Sequence, residues 1–206
     1  MSCAFEALFR ANWGATADRA KFLSRVFGIF SEEIVRIWAA AARAPYEEFE
    51  PGGRPTLKAP GDGRGHTLDF ALRHKATGQV FVAEMKCEIE YQGFKYFVLE
   101  GPTQLEHHTK DAFRAFLAAA GAGPRPRATV RGRELAYDGA ILIWGAVTEA
   151  GRQAVMKHTG LRDVLSVEQI CQDLVAWGSP AYADLLEKRL RWSQELFAGL
   201  AKLTAS

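Results

Sequence analysis

Cysteine is scarce in this sequence of 206 residues: Cys3, Cys87 and Cys171 are its only three, widely spaced and never in a C-x-x-C pair. An odd, scattered set excludes a disulfide framework and a zinc knuckle, and it fits a reducing, intracellular compartment. No stretch approaches the ~20 consecutive apolar residues that a membrane-crossing helix needs. Residues 1–13 carry Glu6 and Arg10 inside their apolar pattern, unlike a signal peptide. The expected setting is therefore the cytoplasm, with no membrane partner. An excess of one charge is also missing: 26 Lys and Arg stand against 24 Asp and Glu, a net charge of +2. That balance admits a polyanionic partner without the strongly basic character of a dedicated nucleic-acid binder. Neither G-x-G-x-x-G after a strand nor G-x-x-x-x-G-K-[ST] occurs, so dinucleotide and phosphate-loop fingerprints are excluded. The glycine-rich residues 61–65 read as a flexible loop.

What is present is a composition 48% hydrophobic and 24% charged, enough to bury one substantial core in one domain of 206 residues. Residues 16–43 show helical periodicity through Phe22, Val26, Ile29, Phe30, Ile37 and Trp38. This is one long helix or two, since Gly28 and Ser31 mark a place where one helix could stop and another begin. Residues 51–65 read as a long loop with at most a short strand at 56–58. Two strand-like runs follow, 66–74 and 79–88, joined by a four-residue connection ending in Gly78. Residues 103–120 read as a helix, 125–133 as a basic segment, 140–144 as a buried strand, 151–158 as a short helix and 164–167 as a further strand. A last helix opens at Pro180 and runs to about residue 202. The order implies an α/β fold with a central sheet flanked by helices, a core over about 16–150 and a helical addition over about 151–206.

The hairpin carries the chemistry. Side chains alternate along a strand, so Val80, Val82, Glu84, Lys86 and Glu88 share one face and Phe81, Ala83, Met85 and Cys87 the other. One face is apolar throughout, whereas the other changes from core to charge. A four-residue connection pairs His74 with Gln79, and counting back places Asp69 opposite Glu84, with Cβ atoms about 4.5–5.5 Å apart. Two carboxylates that close repel unless a cation or a shared proton intervenes, and hard oxygen ligands favour magnesium or manganese over zinc. Lys86 projects from the same face, where an ammonium can stabilise a phosphate oxyanion or assist deprotonation of water. Asp69, Glu84 and Lys86 are thus the candidate catalytic residues, with Asp69 and Glu84 as metal ligands. His107 and His108, adjacent on the expected helix, point apart and have no ligand-spaced partner, which argues against zinc. Trp144 and Phe81 read as core.

Leu68-Asp69, a gap of fourteen residues and Glu84-Met85-Lys86 on consecutive strands resemble the PD-(D/E)XK nuclease superfamily over roughly residues 31–144. Leu68 stands where the motif's name places proline. The resemblance implies a restriction-endonuclease-like core, Mg2+ or Mn2+ as cofactor, nucleic acid, DNA foremost, as partner, and a further metal-binding carboxylate on the preceding helix. Of Glu32 and Glu33, Glu33 falls inside the arc of Phe22, Val26, Ile29 and Ile37 on a continuous helix and is the one assigned. Some relatives carry a glutamine and a tyrosine four positions apart on the next helix. Here Gln104 precedes His108 and the tyrosine is absent, so Gln104 is either substrate-orienting or an ordinary first-turn residue. Arg125, Arg127, Arg131 and Arg133 are candidates for clamping a phosphate backbone, or simply a solvated loop. A homodimer is compatible with this reading but no residue indicates one. Two other functions stay open: a non-catalytic nuclease-like fold that binds nucleic acid or a protein, and a metal-dependent hydrolase of a smaller phosphate ester.

Overall fold

The computed structural model describes residue 4 and residues 20–57, 65–87, 95–121 and 127–203, without the side chains of 20–27 and 203. A five-stranded mixed sheet organises them. Its order is β1 (Tyr46–Glu48), β4 (Phe70–His74), β5 (Val80–Lys86), β9 (Ala140–Trp144) and β11 (Asp163–Ser166). β1, β4 and β5 pair antiparallel, while β5, β9 and β11 run parallel. A second sheet joins β3 (His66–Thr67), β2 (Pro55–Leu57), β7 (Arg127–Val130) and β8 (Arg133–Ala136), and a small parallel pair joins β6 (Val98–Leu99) to β10 (Ala146–Val147).

Helices cover both faces of the large sheet, which is why β5 stays buried along its whole length until Lys86. On one face Phe81, Ala83, Met85 and Cys87 pack with Ile34, Val35 and Trp38 of α1 (Ala20–Ala40) and with Val167, Ile170 and Leu174 of α4 (Val167–Ala176). On the other, Val82, Leu142 and Trp144 pack with Phe113 and Phe116 of α2 (Asp111–Ala120) and Val155 of α3 (Glu149–Thr159). The alternation expected of β5 therefore holds, and the α/β expectation with it. α5 (Pro180–Leu203) sets Tyr182 and Leu185 against the first of these cores, while Leu190, Trp192 and Phe197 farther along it are exposed. Among the described residues no helix is long and apolar enough to cross a membrane.

Local chemistry explains most element ends. Thr148 caps α3 by accepting the Gly151 amide at 3.0 Å, and Gly160, at φ 77°, ends it in the left-handed conformation. Ser166 caps α4 by accepting the Gln169 amide. Gly78, at φ 71°, closes the hairpin connection, with the His74 amide donating to the Gln79 carbonyl at 2.9 Å.

Several expectations need correction. α1 is continuous through Gly28 and Ser31, and Ser31 is fully buried within it rather than capping a new helix. Residues 103–120 are not one helix: a 3-10 turn at Pro102–Leu105 is followed by irregular chain, and α2 starts only at Asp111. The basic segment is a β-hairpin, turned by Arg131 (φ 48°) and Gly132 (φ 79°). Nor does a boundary near 150 divide core from addition, because β11 extends the central sheet and α4 fills one of its cores.

Candidate metal and phosphate site

Asp69 sits where the chain passes from the small sheet to the large one. Leu68, fully buried, donates its amide to the Pro55 carbonyl at 2.8 Å and so ends the small-sheet pairing; Phe70, also fully buried, begins β4. Between these two anchors Asp69 has little freedom. Pairing in the hairpin runs from Arg73 with Val80 to Phe70 with Ala83, so the next position sets Asp69 beside Glu84. The Met85 amide donates to Asp69 Oδ2 at 2.8 Å, which fixes the carboxylate against β5. The expected register is the observed one.

Glu84 is only 7% exposed. Lys86 donates to its Oε1, whereas its Oε2 is buried and has no hydrogen-bond partner among the described residues. Burial first, and then the Asp69 charge, raise the Glu84 pKa above the usual carboxyl range, against the opposing pull of Lys86. Leaving a buried polar oxygen unsatisfied costs about 1–3 kcal/mol. Lys86 Nζ also reaches the Met85 carbonyl at 3.2 Å and stands 5.6 Å from the centre of the Phe113 ring.

A chain of alternating charge continues from Asp69 away from Glu84. Arg54 Nη2 donates to Asp69 Oδ1 at 2.5 Å and lies 3.6 Å from Glu32 Oε1. Glu32 in turn lies 3.8 Å from Arg36, which pairs with Glu48. Burial disfavours the charged guanidinium of Arg54, but the Asp69 hydrogen bond and the charges of Glu32, Asp69 and Glu84 outweigh it and raise its pKa. Glu33, by contrast, pairs with Arg189 on α5. The structure thus sets Glu32, not Glu33, beside the Arg54 that holds Asp69. The helix phase differs from the expected one: Ser31, Ile34, Val35, Trp38 and Ala39 form the buried stripe, and Ile29, taken as part of it, is 67% exposed.

Beyond Lys86 lies a cleft of about 400 Å3, lined by Glu84, Lys86, His107, His108, Lys110 and Phe113 among others. The two histidines do not point apart, because the chain there is not helical; their ring centroids are 3.9 Å apart, and His107 also stacks on Tyr96 at 3.9 Å. Burial first, then the charges of His107, Lys86 and Lys110, push the His108 pKa down to about 3. His107, His108, Lys110, Arg54 and Glu32 are thus neighbours of the site that sequence reasoning did not place there. The seven residues between Leu105 and Phe113, rich in His, Thr and Lys, were the available signal against a continuous helix.

Gln104 does not face the cleft chemistry. Its Oε1 accepts from the Glu100 and Gly101 amides at 2.6 and 3.1 Å, and its Nε2 donates to the Lys95 and Val98 carbonyls at 3.2 and 2.8 Å. All four positions tie backbone together, so the ordinary structural role prevails. Arg127, Arg131 and Arg133 lie on or beside β7 and β8 and line no part of the cleft. Arg127 pairs with Glu134, Arg131 donates to the Pro51 carbonyl at 2.7 Å, and Arg133 lies 3.9 Å from Glu50. Arg125 falls outside the described residues.

Among the described residues no group of three or more His, Cys, Asp and Glu side chains is arranged to hold an ion. Magnesium can bind through one or two carboxylates and complete its shell with water and substrate phosphate, and Asp69 and Glu84 are two carboxylates at adjoining register positions. No family model, curated protein or solved structure matches this chain.

Proposed function

We propose that the chain is a metal-dependent nuclease of the PD-(D/E)XK type, built on a restriction-endonuclease-like core and hydrolysing phosphodiester bonds in DNA. One observation carries the reading: Glu84, whose Oε2 is buried and unpartnered among the described residues, adjoins Asp69 in the hairpin register, with Lys86 on the same strand face. The mixed sheet and the position of the hairpin within it support the same reading. Asp69 and Glu84 would hold a magnesium or manganese ion, which would supply positive charge to the scissile phosphate and lower the pKa of a bound water.

The chain's own residues do the rest. The Met85 amide orients Asp69, so that Oδ1 rather than Oδ2 is presented outward. Lys86 lies at the boundary between the carboxylate pair and the cleft, where its ammonium can turn from Glu84 to a phosphate oxygen or to the attacking water. Lys110, which also lines the cleft, adds a second positive charge for a polyanion.

The test is incubation of the purified protein with supercoiled plasmid and with single-stranded DNA, in Mg2+ or Mn2+, beside Asp69→Ala and Lys86→Ala. Cleavage by the wild type that both variants lose by a hundredfold or more supports the reading. Cleavage indistinguishable among the three rejects it. The second reading, a nuclease-like fold without catalysis, draws support from Arg54 and Lys86, which already neutralise the carboxylates. It predicts DNA retention without cleavage in either metal.

A further inference from the structure

Arg54 belongs to a part of the chain to which the site's expected chemistry assigns nothing, and yet it is the group that touches Asp69 most directly. Its guanidinium lies among three carboxylates, hydrogen-bonded to Asp69 and within the electrostatic reach of Glu32 and Glu84. Asp69 Oδ2 accepts the Met85 amide and Oδ1 accepts from Arg54 at 2.5 Å, so a cation that binds Oδ1 competes with Arg54 for it. A guanidinium and a divalent cation repel each other strongly at such a distance, so they do not share this oxygen. The carboxylates alone would not define a site. The independent observation is Glu84 Oε2, on a side chain more than nine-tenths buried, which no group among the described residues satisfies.

We propose that Arg54 is an exchangeable counter-ion: it neutralises Asp69 and Glu32 while the metal is away, yields Asp69 when the metal arrives, and then turns to a phosphate of the substrate. This rests on the reading of Asp69 and Glu84 as a cation site. The surroundings of Arg54 suit such an exchange. Its backbone is held, because a Cβ on the preceding Gly53 would come within 2.8 Å of Val130 Cγ1, and because β2 begins at the next residue. Its side chain is 47% exposed and can move without disturbing the core. A planar, permanently charged guanidinium matches a phosphate in two parallel hydrogen bonds, so the group released from one anion is suited to another.

The exchange has two measurable signs, in opposite directions. Calorimetric titration of Mn2+ into the full chain is expected to show Arg54→Gln binding the ion at least tenfold more tightly than the wild type, with Arg54→Lys between them. In Ca2+, Arg54→Gln is expected to bind a DNA duplex at least fivefold more weakly, although its metal site is more readily filled. Thermal melts of both variants establish that each folds, and Arg54→Lys keeps the charge should the glutamine variant fail to do so. Mn2+ affinity unchanged or weakened in both variants overturns the proposal. Glu84→Gln separates this from the site itself: if it binds Mn2+ as well as the wild type, the cation site is wrong. If it loses Mn2+ while the Arg54 variants match the wild type, only the exchange is wrong.

Discussion

Asp69 and Glu84 meet one position beyond the last paired residues of the β4–β5 hairpin, Phe70 and Ala83, at the point where the chain changes from one sheet to the other. Neither strand alone would create this meeting. β5 delivers Glu84 from a buried strand, and the break at Leu68 and Asp69 delivers a second carboxylate to the same place.

That proximity makes stability depend on pH. Burial, reinforced by Asp69, raises the Glu84 pKa, so the folded chain holds a proton that the unfolded chain releases. The folded state binds more protons in the interval between the ordinary carboxyl value and the raised one, and stability due to this group falls as pH rises through it. Glu84→Gln removes the titrating group and is expected to flatten this fall in the metal-free protein, so that its stability relative to the wild type rises from acid to neutral pH. In a domain of this size each kcal/mol is about 2–4 °C in Tm. Melts in EDTA at acid and neutral pH check this; a glutamine variant whose stability relative to the wild type does not rise between the two contradicts it.

His108 acts in the other direction. Its pKa is pushed down to about 3, so in the folded state it stays neutral while the unfolded chain takes up a proton near the ordinary histidine value. Its contribution is fully present above about pH 6.5 and is lost as pH falls from there towards 3. His108→Gln is expected to flatten this acid limb of the stability curve, and denaturant titrations across the interval measure it. A variant with the wild-type slope would show that burial of the ring has no such effect.

Two helical glycines separate propensity from packing. Alanine is the better helix former by about 1 kcal/mol, which alone favours both Gly151→Ala and Gly199→Ala. A Cβ on Gly151 would lie 2.3 Å from the Leu99 carbonyl oxygen and 2.8 Å from Glu100 Cα, whereas Gly199 has open space around it. Gly151→Ala is therefore expected to destabilise by about 2 kcal/mol or more, through backbone displacement of overpacking kind. Gly199→Ala is expected to stabilise by about 0.5–1 kcal/mol. Equal effects in chemical denaturation would contradict the contact at Leu99.

Glu33 and Glu32 provide a test of helix phase. Glu33→Ala removes a partly exposed pair with Arg189 and is expected to cost about 0–1 kcal/mol, leaving Mn2+ affinity within twofold of the wild type. Glu32→Ala withdraws a carboxylate from Arg54 and is expected to shift Mn2+ affinity by threefold or more. The reverse pattern would restore Glu33 to the site.

Much of this was legible in the sequence because it depends on period and count. Residues 79–88 alternate, Gly78 permits the turn, and the four-residue connection sets the register that brings Asp69 to Glu84. Glu32, Arg54 and His108 were not legible in the same way. Glu32 required the helix phase to within one residue, and Ile29 misled it because an exposed isoleucine at residue 29 is indistinguishable, in sequence, from a buried one. Arg54 and the His107–His108 turn reach the site through contacts distant in sequence, and such contacts leave no local pattern. The β7–β8 hairpin was hidden by its arginines, whose charge drew attention from the buried Ala128, Val130 and Leu135 beneath them.

The central claim is that Asp69 and Glu84 jointly hold one divalent cation. Electron paramagnetic resonance counting of bound Mn2+ tests it most directly, on the wild type and on the charge-neutral Asp69→Asn and Glu84→Gln. One ion per chain in the wild type, weakened at least tenfold in each variant and absent when the two are combined, is the predicted result. A Mn2+ titration that is the same in all four proteins contradicts the claim.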